Sequence, residues 1–256
     1  RRYFLYGVFP RRVFEKPFGY AGDFKIIDDI YQNQSRSIGF DRLWDDYFLQ
    51  MVAAKSTRKR KDDFKEFICD FVGKRPGEDV RIMSLASGPA REIKELLDSD
   101  SHRLFGSTIF DCYDFETRAI NYAQQLLNSA KNVNFFHKNA VRLALTKDIS
   151  REIPQSYDFI YCAGLYDYLD EKVAIRLTSN LHKLLKKNGV LLIANFGNKY
   201  QNSSAGLMEW ATEWYLIYRS ENEFEHIFLS SGFSKDDLRF FSQKNKVIVY
   251  CLAHAG

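Results

Sequence analysis

Ile82-Met83-Ser84-Leu85-Ala86-Ser87-Gly88-Pro89-Ala90-Arg91-Glu92 passes from an apolar run into a turn with one glycine and one proline, then into helical spacing. The run from Val80 to Leu85 reads as a strand, and Arg91 to Leu97 repeats its apolar residues at helical intervals. Outward from this stretch the alternation persists. Ser107 to Tyr113 reads as a second strand, Thr117 to Leu127 as a helix, Asn132 to Phe136 as a third strand and Tyr157 to Ala163 as a fourth. Lys172 to Leu185 is an amphipathic helix stopped by Lys186-Lys187-Asn188-Gly189. Val190 to Asn195, wholly apolar up to its last residue, is a fifth strand of the kind buried on both faces. Glu221 to Ser231 reads as helix, with Leu238 to Ser242 and Lys246 to Ala253 as a closing strand pair. The pattern predicts an α/β fold whose seven-stranded, mostly parallel sheet carries helices on both faces.

The first 76 residues have another pattern. Phe40, Leu43, Trp44, Tyr47, Phe48 and Met51, then Phe64, Phe67, Ile68 and Phe71, recur at three- and four-residue spacing, which predicts two amphipathic helices. Before them, Lys16-Pro17-Phe18-Gly19-Tyr20-Ala21-Gly22-Asp23-Phe24 is a shaped loop leading into a short helix from Ile26 to Tyr31, with Asp23 available as its N-cap. Gly73-Lys74-Arg75-Pro76-Gly77 marks a boundary, so the expected division is a helical cap over 1–76 and an α/β domain over 77–256.

Composition bounds the function. At 256 residues and 45% hydrophobic content the chain can bury a full core. A formal charge of +4 does not argue for a nucleic-acid partner, and the basic run from Lys55 to Lys61 reads as a solvated face. Cys69, Cys112, Cys162 and Cys251 are scattered, without zinc-ligand spacing, and no His and carboxylate cluster suggests a metal. No stretch approaches the roughly 18–20 apolar residues of a membrane span, and no signal peptide is visible. The expectation is a soluble, cytoplasmic protein, although the chain opens at Arg1 without a methionine, which weakens any reading of a missing targeting signal.

Ligands of such sheets sit at the carboxyl ends of the strands. In the first turn only Gly88 remains of the glycines that a dinucleotide fold uses to approach a pyrophosphate, and Pro89 removes an amide donor. That turn suits a ligand without phosphates and counts against a nicotinamide oxidoreductase. The second strand ends in Asp114, placed to accept a ribose's hydroxyls, with Asp111 as the fallback and a helix-capping acid as the plain alternative. Asn139, in the third turn, offers an acceptor and a donor to an adenine edge, though asparagine is also common in turns for local reasons.

These motifs resemble motifs I, post-I and II of class I S-adenosylmethionine-dependent methyltransferases, which have a Rossmann-like fold, and the likeness runs over residues 78 to 256. The Tyr157-Asp158-Phe159-Ile160-Tyr161 strand and the segment from Leu184 to Leu191 are similar to the same family. The resemblance implies S-adenosyl-L-methionine as cofactor and S-adenosyl-L-homocysteine as product. The cofactor contacts it implies are Ser87, Gly88, Pro89, Asp114, Phe115, Asn139, Ala140, Ala163 and Gly164. Ala86 and Ala90 stand where many members have glycine and narrow the turn. Gly19 to Asp23, Ala163 to Leu169 and Trp214 to Arg219 are similar to the bacterial branch associated with 3-hydroxypalmitic acid methyl ester, an extracellular signal.

Methyl transfer is an in-line displacement, so alignment and a dry pocket matter most. A carboxylate acceptor needs no base, whereas an amine or hydroxyl does. Tyr166 and Asp167, after the fourth strand, are the first candidates for the acceptor site, and Tyr20 and Asp23 the candidates for its mouth, against ordinary half-buried packing. The inserted segment 199–220 is rich in aromatics. Trp214, Tyr218 and Arg219, with Tyr31 and Asn195, are the expected contacts to an acceptor with an apolar body and an anionic head. The alternative for the insert is packing against the cap. The leading expectation is methylation of a small molecule, the carboxylate of a (3-hydroxy) fatty acid or acyl conjugate first, another O- or N-acceptor second. A non-catalytic cofactor-binding regulatory module is the alternative of another class.

Overall fold

A computed structural model describes residues 2–99, 104–128 and 130–256. The N-terminal part carries α1 (Val8–Glu15), α2 (Phe24–Gln32), α3 (Arg42–Leu49) and the long α4 (Val52–Gly73). Then follow β1 (Arg81–Leu85), α5 (Arg91–Asp98), β2 (Ile109–Asp114), α6 (Thr117–Leu126) and β3 (Val133–His137). The next elements are α7 (Ala140–Leu145), α8 (Ile149–Glu152), β4 (Tyr157–Cys162), α9 (Glu171–Leu184) and β5 (Leu185–Phe196). The chain closes with α10 (Ala205–Thr212), α11 (Glu221–Ser230), β6 (Leu238–Ser242) and β7 (Ile248–His254). Among the described residues no helix is long and apolar enough to cross a membrane.

The seven strands lie in the order β3-β2-β1-β4-β5-β7-β6. The five on the β3 side run parallel, and β7 is antiparallel to both β5 and β6. The seven-stranded, mostly parallel sheet is the one the sequence pattern predicts, and it fits the Rossmann-like fold that the resemblance implies. The chain goes from β1 to β2 on one side and returns to β4 on the other, so the strand order reverses between β1 and β4. A crevice opens there at the carboxyl edge.

Each sheet face has its own core. On one side Leu85, Ile160, Leu191 and Ile193 pack with Leu177 and Leu181 of α9 and Phe224 and Phe228 of α11. On the other, Ile82, Phe110, Tyr161 and Leu192 pack with Phe64, Ile68, Phe71 and Val72 of α4 and Ile93 of α5. The carboxyl half of α4 is therefore part of the sheet's core, although it lies on the cap side of the division expected at residue 76. Phe9, Val13, Ile26, Ile30, Phe48, Leu49 and Ala54 form a third, smaller cluster, closed by Ala211 of α10. Part of the insert packs against the cap in this way: Phe4 meets Trp210 edge-on at 5.7 Å, and Ser204 Oγ accepts the Ala53 amide at 3.1 Å.

Local chemistry explains the helix starts. Asp23 accepts from the Lys25 and Ile26 amides at 2.9 Å each, capping α2 as expected. Ser220 and Glu223 form a full capping box on α11. The Lys186–Gly189 stop interrupts the β4–β5 ladder, where pairing jumps from Tyr157↔Leu185 to Phe159↔Val190. A side chain at Gly189 would meet the Lys186 carbonyl at 2.8 Å.

Phe64 is 1% exposed and packs on Tyr161 and Tyr250, joining α4 to the sheet. Phe64→Ala is expected to lower stability by about 3–5 kcal/mol, read by urea denaturation with an unchanged m-value.

Candidate active site

The crevice continues into a cavity of about 530 Å³ between the sheet edge, the cap and the insert. Its sheet side is built from Ser84 to Pro89 at the end of β1 and the turn beyond, Asp114 and Phe115 at the end of β2, and Ala163 to Leu165 with Asp167 and Tyr168 after β4. The β1 and β2 turns are tied together, because the Gly88 amide donates to Asp114 Oδ2 at 2.8 Å while the Glu116 amide donates to Oδ1 at 2.9 Å. Burial pushes the Asp114 carboxyl up and these amides pull it back down. The carboxylate also lines the cavity, where a ligand's hydroxyls can reach it. Gly88 has φ +53°, and a Cβ there would meet only the Phe24 Cβ, at 3.9 Å, so backbone is offered directly to the cavity under Phe24 of α2.

Ala86 and Ala90 also adopt left-handed backbone, at φ +53° and +49°. The turn thus keeps a glycine-type path with alanines in it, at about 1 kcal/mol each. Tyr20 covers Phe115 at 5.2 Å between ring centres. Burial and the Asp114, Asp23 and Glu116 carboxylates hold its hydroxyl protonated, so it can donate a hydrogen bond and cannot serve as a base. The other candidate acid of β2, Asp111, is fully buried within the sheet between Arg81, Asn134 and Tyr157 and does not line the cavity.

Three segments separated in sequence meet at the mouth. A Cβ at Gly22 would lie 2.5 Å from Tyr168 Oη and 3.0 Å from the Trp214 ring, and Trp214 Nε1 donates to Tyr168 Oη at 2.7 Å. Only a glycine allows that approach, which is why the Gly19–Asp23 loop is shaped as it is. Tyr31 also lines the cavity, its hydroxyl beside Arg60.

Several expected residues lie elsewhere. Tyr166 is fully buried with its hydroxyl on Thr178 Oγ1 of α9 at 2.7 Å, turned away from the cavity by the short helical turn it starts. Asp23 does not line the cavity: its Oδ1 caps α2, and its Oδ2 is buried without a hydrogen-bond partner. Asn139 caps α7 through the Arg142 amide at 3.1 Å, and Ala140 is buried in the core. Both follow β3, whose His137 pairs with Asp114, but neither lines the cavity. Arg219 is buried and donates to the Tyr166 carbonyl at 2.5 Å, to Asn195 Oδ1 at 2.8 Å and to the Leu169 carbonyl. Asn195 in turn donates to the Phe196 and Ile217 carbonyls, and Tyr218 Oη accepts from Asn202. Arg219 and Asn195 brace the turn that carries Asp167, Tyr218 ties the insert to itself, and none of the three lines the cavity, because satisfying buried carbonyls is what a buried guanidinium and amide are needed for there.

The cation of the cavity is Arg60 of α4. It belongs to the basic run read as a solvated face, yet it is 4% exposed. Ala53, Thr57, Arg60 and Phe64 fall on one helical face, a spacing visible in the sequence, and that face turns inward while Lys55 and Lys59 turn out. Arg60 Nη1 lies 3.5 Å from Asp167 Oδ2, and Asp167 Oδ1 accepts the Phe196 amide at 2.7 Å. Burial pushes the Asp167 carboxyl up to about 6, against the pull of Arg60 and that amide. Glu92 is a second buried carboxyl on the lining, raised by burial and held by Tyr161 Oη at 2.8 Å. Among the described residues no group of three or more His, Cys, Asp or Glu side chains could hold a metal ion.

Because the folded Asp167 binds its proton more tightly than the unfolded chain, its contribution to stability is greatest below about pH 4 and declines as pH rises through about 6. Wild type should therefore lose on the order of 3 kcal/mol relative to Asp167→Asn between about pH 4 and pH 7, measured by chemical denaturation at each pH.

Relatives place this architecture. The family model "Putative methyltransferase" matches residues 19–242. No protein of curated function matches the chain. A possible exported protein from Bordetella parapertussis is similar in fold, with a TM-score of 0.70 and 17% identity over 91% of this chain and 79% of its own. Magnesium protoporphyrin IX methyltransferase from Synechocystis PCC 6803, with bound S-adenosylhomocysteine, has a TM-score of 0.61 and 12% identity over 97% of this chain and all of its own. With bound S-adenosylmethionine it has a TM-score of 0.58 and 14% identity over 97% of each chain. At such identities the likeness is one of fold. The family match spans most of the sequence, from the loop before α2 to the end of β6, and this chain belongs to that family of methyltransferases.

Proposed function

We propose that the protein transfers a methyl group from S-adenosylmethionine to a small molecule with a long apolar body, with a fatty-acid or acyl-conjugate carboxylate as the favoured acceptor. The observation that carries this reading is the division of one cavity into two unlike halves. Around Gly88, Asp114 and Phe115 it offers bare backbone, a buried carboxylate and aromatic rings, and among the described residues the lining there holds no cation for a phosphate. Those groups fit a methionine arm, a ribose and an adenine in turn. The Synechocystis enzyme of like fold holds S-adenosylmethionine or S-adenosylhomocysteine in its structures. Such a cofactor supplies a methyl on a sulfonium; the acceptor's lone pair forms the new bond, the carbon–sulfur pair returns to sulfur, and S-adenosylhomocysteine remains.

The other half is walled by Phe9, Val13, Ile30, Phe48, Met51 and Met208, from the cap and the insert. An alkyl chain buried there gains about 0.8 kcal/mol per methylene, enough for a lipid-like acceptor to be chosen by length. A (3-hydroxy) fatty acid suits that branch, its hydroxyl finding Thr57 or Tyr31. The cap and the Tyr20–Gly22 loop exclude water from the reacting atoms, which an in-line displacement needs. Cytoplasmic residence belongs to the same proposal and suits the four free cysteines.

A second reading, a hydroxyl acceptor, is favoured by Asp167, a lining carboxylate raised to about 6 that could act as a base. The product separates the two. Protein incubated with methyl-labelled S-adenosylmethionine and 3-hydroxy acids of increasing chain length is expected to give a label that mild alkali releases as methanol, since an ester hydrolyses there and an ether does not. A label stable to alkali would replace the first reading with the second, and absence of transfer to any acid or alcohol would sink both. Ala54→Phe, which fills the apolar branch, is expected to raise KM for long acceptors about tenfold while leaving S-adenosylhomocysteine affinity unchanged by calorimetry.

A further inference from the structure

One face of α4 forms a wall of the cavity through Ala53, Ala54, Thr57 and Arg60. Seven residues of helix span about 10 Å, so this wall runs from small side chains beside Phe48 and Met51 to a guanidinium at its far end. The guanidinium lies against the turn after β4: a Cβ at Gly164 would stand 2.9 Å from Arg60 Nη2. Phe196 lies below it, 6.0 Å from ring centre to Cζ.

Arg60 is under-partnered for so buried a charge. Its side chain is 5% exposed; among the described residues its ion pair is the long 3.5 Å approach to Asp167, the Tyr31 hydroxyl adds a hydrogen bond, and its Nε is buried without a partner. A guanidinium carries five N–H donors, and leaving even one unmet in a low-dielectric wall is costly. Among the described residues it is the one Lys or Arg side chain lining the cavity.

We infer that Arg60 is the residue by which this enzyme selects acids: it pairs with the carboxylate of the acceptor and sets it at the β4 turn, while the apolar body lies along Ala53 and Ala54 toward Phe48. The inference rests on the methyltransferase reading and names the residue that makes the acceptor an acid. The neighbours of the guanidinium favour the acceptor as its partner over the cofactor's own carboxylate. They come chiefly from the cap, the Asp167 turn and the end of β5, at Tyr31, Asp167 and Phe196, whereas Gly88 and Asp114 of the β1 and β2 turns are bound to each other. Asp167 then acts as the counter-ion Arg60 keeps between turnovers. A methyl ester is uncharged, so methylation itself breaks the pair with Arg60, and Asp167 reclaims the guanidinium as product leaves.

The test compares binding of hexadecanoate with that of hexadecanol to protein saturated with S-adenosylhomocysteine, by calorimetry. Wild type is expected to prefer the acid by at least about tenfold, as a buried charge-assisted pair implies. Arg60→Met is expected to abolish that preference while S-adenosylhomocysteine affinity stays within about twofold, and Arg60→Lys to retain part of it, a point charge replacing a fork. An acid preference that survives in Arg60→Met overturns the inference. So does an S-adenosylhomocysteine affinity that falls while the acid preference holds, because the guanidinium would then serve the cofactor. If Arg60→Met does not fold, Arg60→Lys decides: an undiminished preference overturns the inference. Wild type that binds no S-adenosylhomocysteine would instead refute the methyltransferase reading, whereas wild type that binds it but takes acid and alcohol equally refutes the role of Arg60 alone.

Discussion

The ladder of β1, β4 and β5 is buried on both faces, and that constraint organises the molecule. Ile82, Met83, Ile160, Leu191, Leu192 and Ile193 are all fully buried, so the middle of the sheet has no place for chemistry. Polar groups collect where the strands stop. The Gly88 amide on the Asp114 carboxylate joins two such stops into one wall, and the reversal of strand order between β1 and β4 leaves the crevice beside it open. Cap and insert then close over an edge already equipped.

The long helix α4 couples the two parts. Phe64, Ile68 and Phe71 bind it to the sheet, and one and two turns before Phe64 Arg60 and Thr57 face the cavity. The position of the buried guanidinium is therefore set by core packing and not by a loop. Its partner Asp167 is fixed with equal care: its carboxylate takes the Phe196 amide, its carbonyl takes the Ile217 amide, and Arg219 ties the Tyr166 and Leu169 carbonyls on either side. Two arginines thus divide the work. One is a structural brace that satisfies buried carbonyls, and the other lines the cavity with a long ion pair and an unpartnered Nε.

Much of this was legible in the residues. Short apolar strand runs, one of them apolar on both faces, amphipathic helices and the Lys186–Gly189 stop predict the element order, and the lone Gly88 with Pro89 predicts a ligand without phosphates. The site was legible where backbone makes it, at Ser87, Gly88 and Asp114, because a turn's conformation is a local property. It was not legible where side chains cross between distant segments. Arg219 and Arg60 look alike in sequence, one beside aromatics and one in a basic run, and nothing local says which is sealed by carbonyls. Tyr166 and Tyr168 are two residues apart, and a single turn of short helix sends one into the core and the other to the cavity.

What the sequence by itself determined is the fold, its order of strands and helices, and the chemical character of the β1 and β2 turns, since hydrophobic periodicity and glycine or proline placement act within a few residues. What only the tertiary structure decided is which charged groups meet: Arg60 with Asp167 across 107 positions, Gly22 beneath Tyr168 and Trp214, and an apolar branch assembled from cap and insert. The physical reason is that burial converts position into energy. A charge or a ring has the same identity anywhere along a chain, but its ionisation, its partners and its reach depend on what the fold brings beside it.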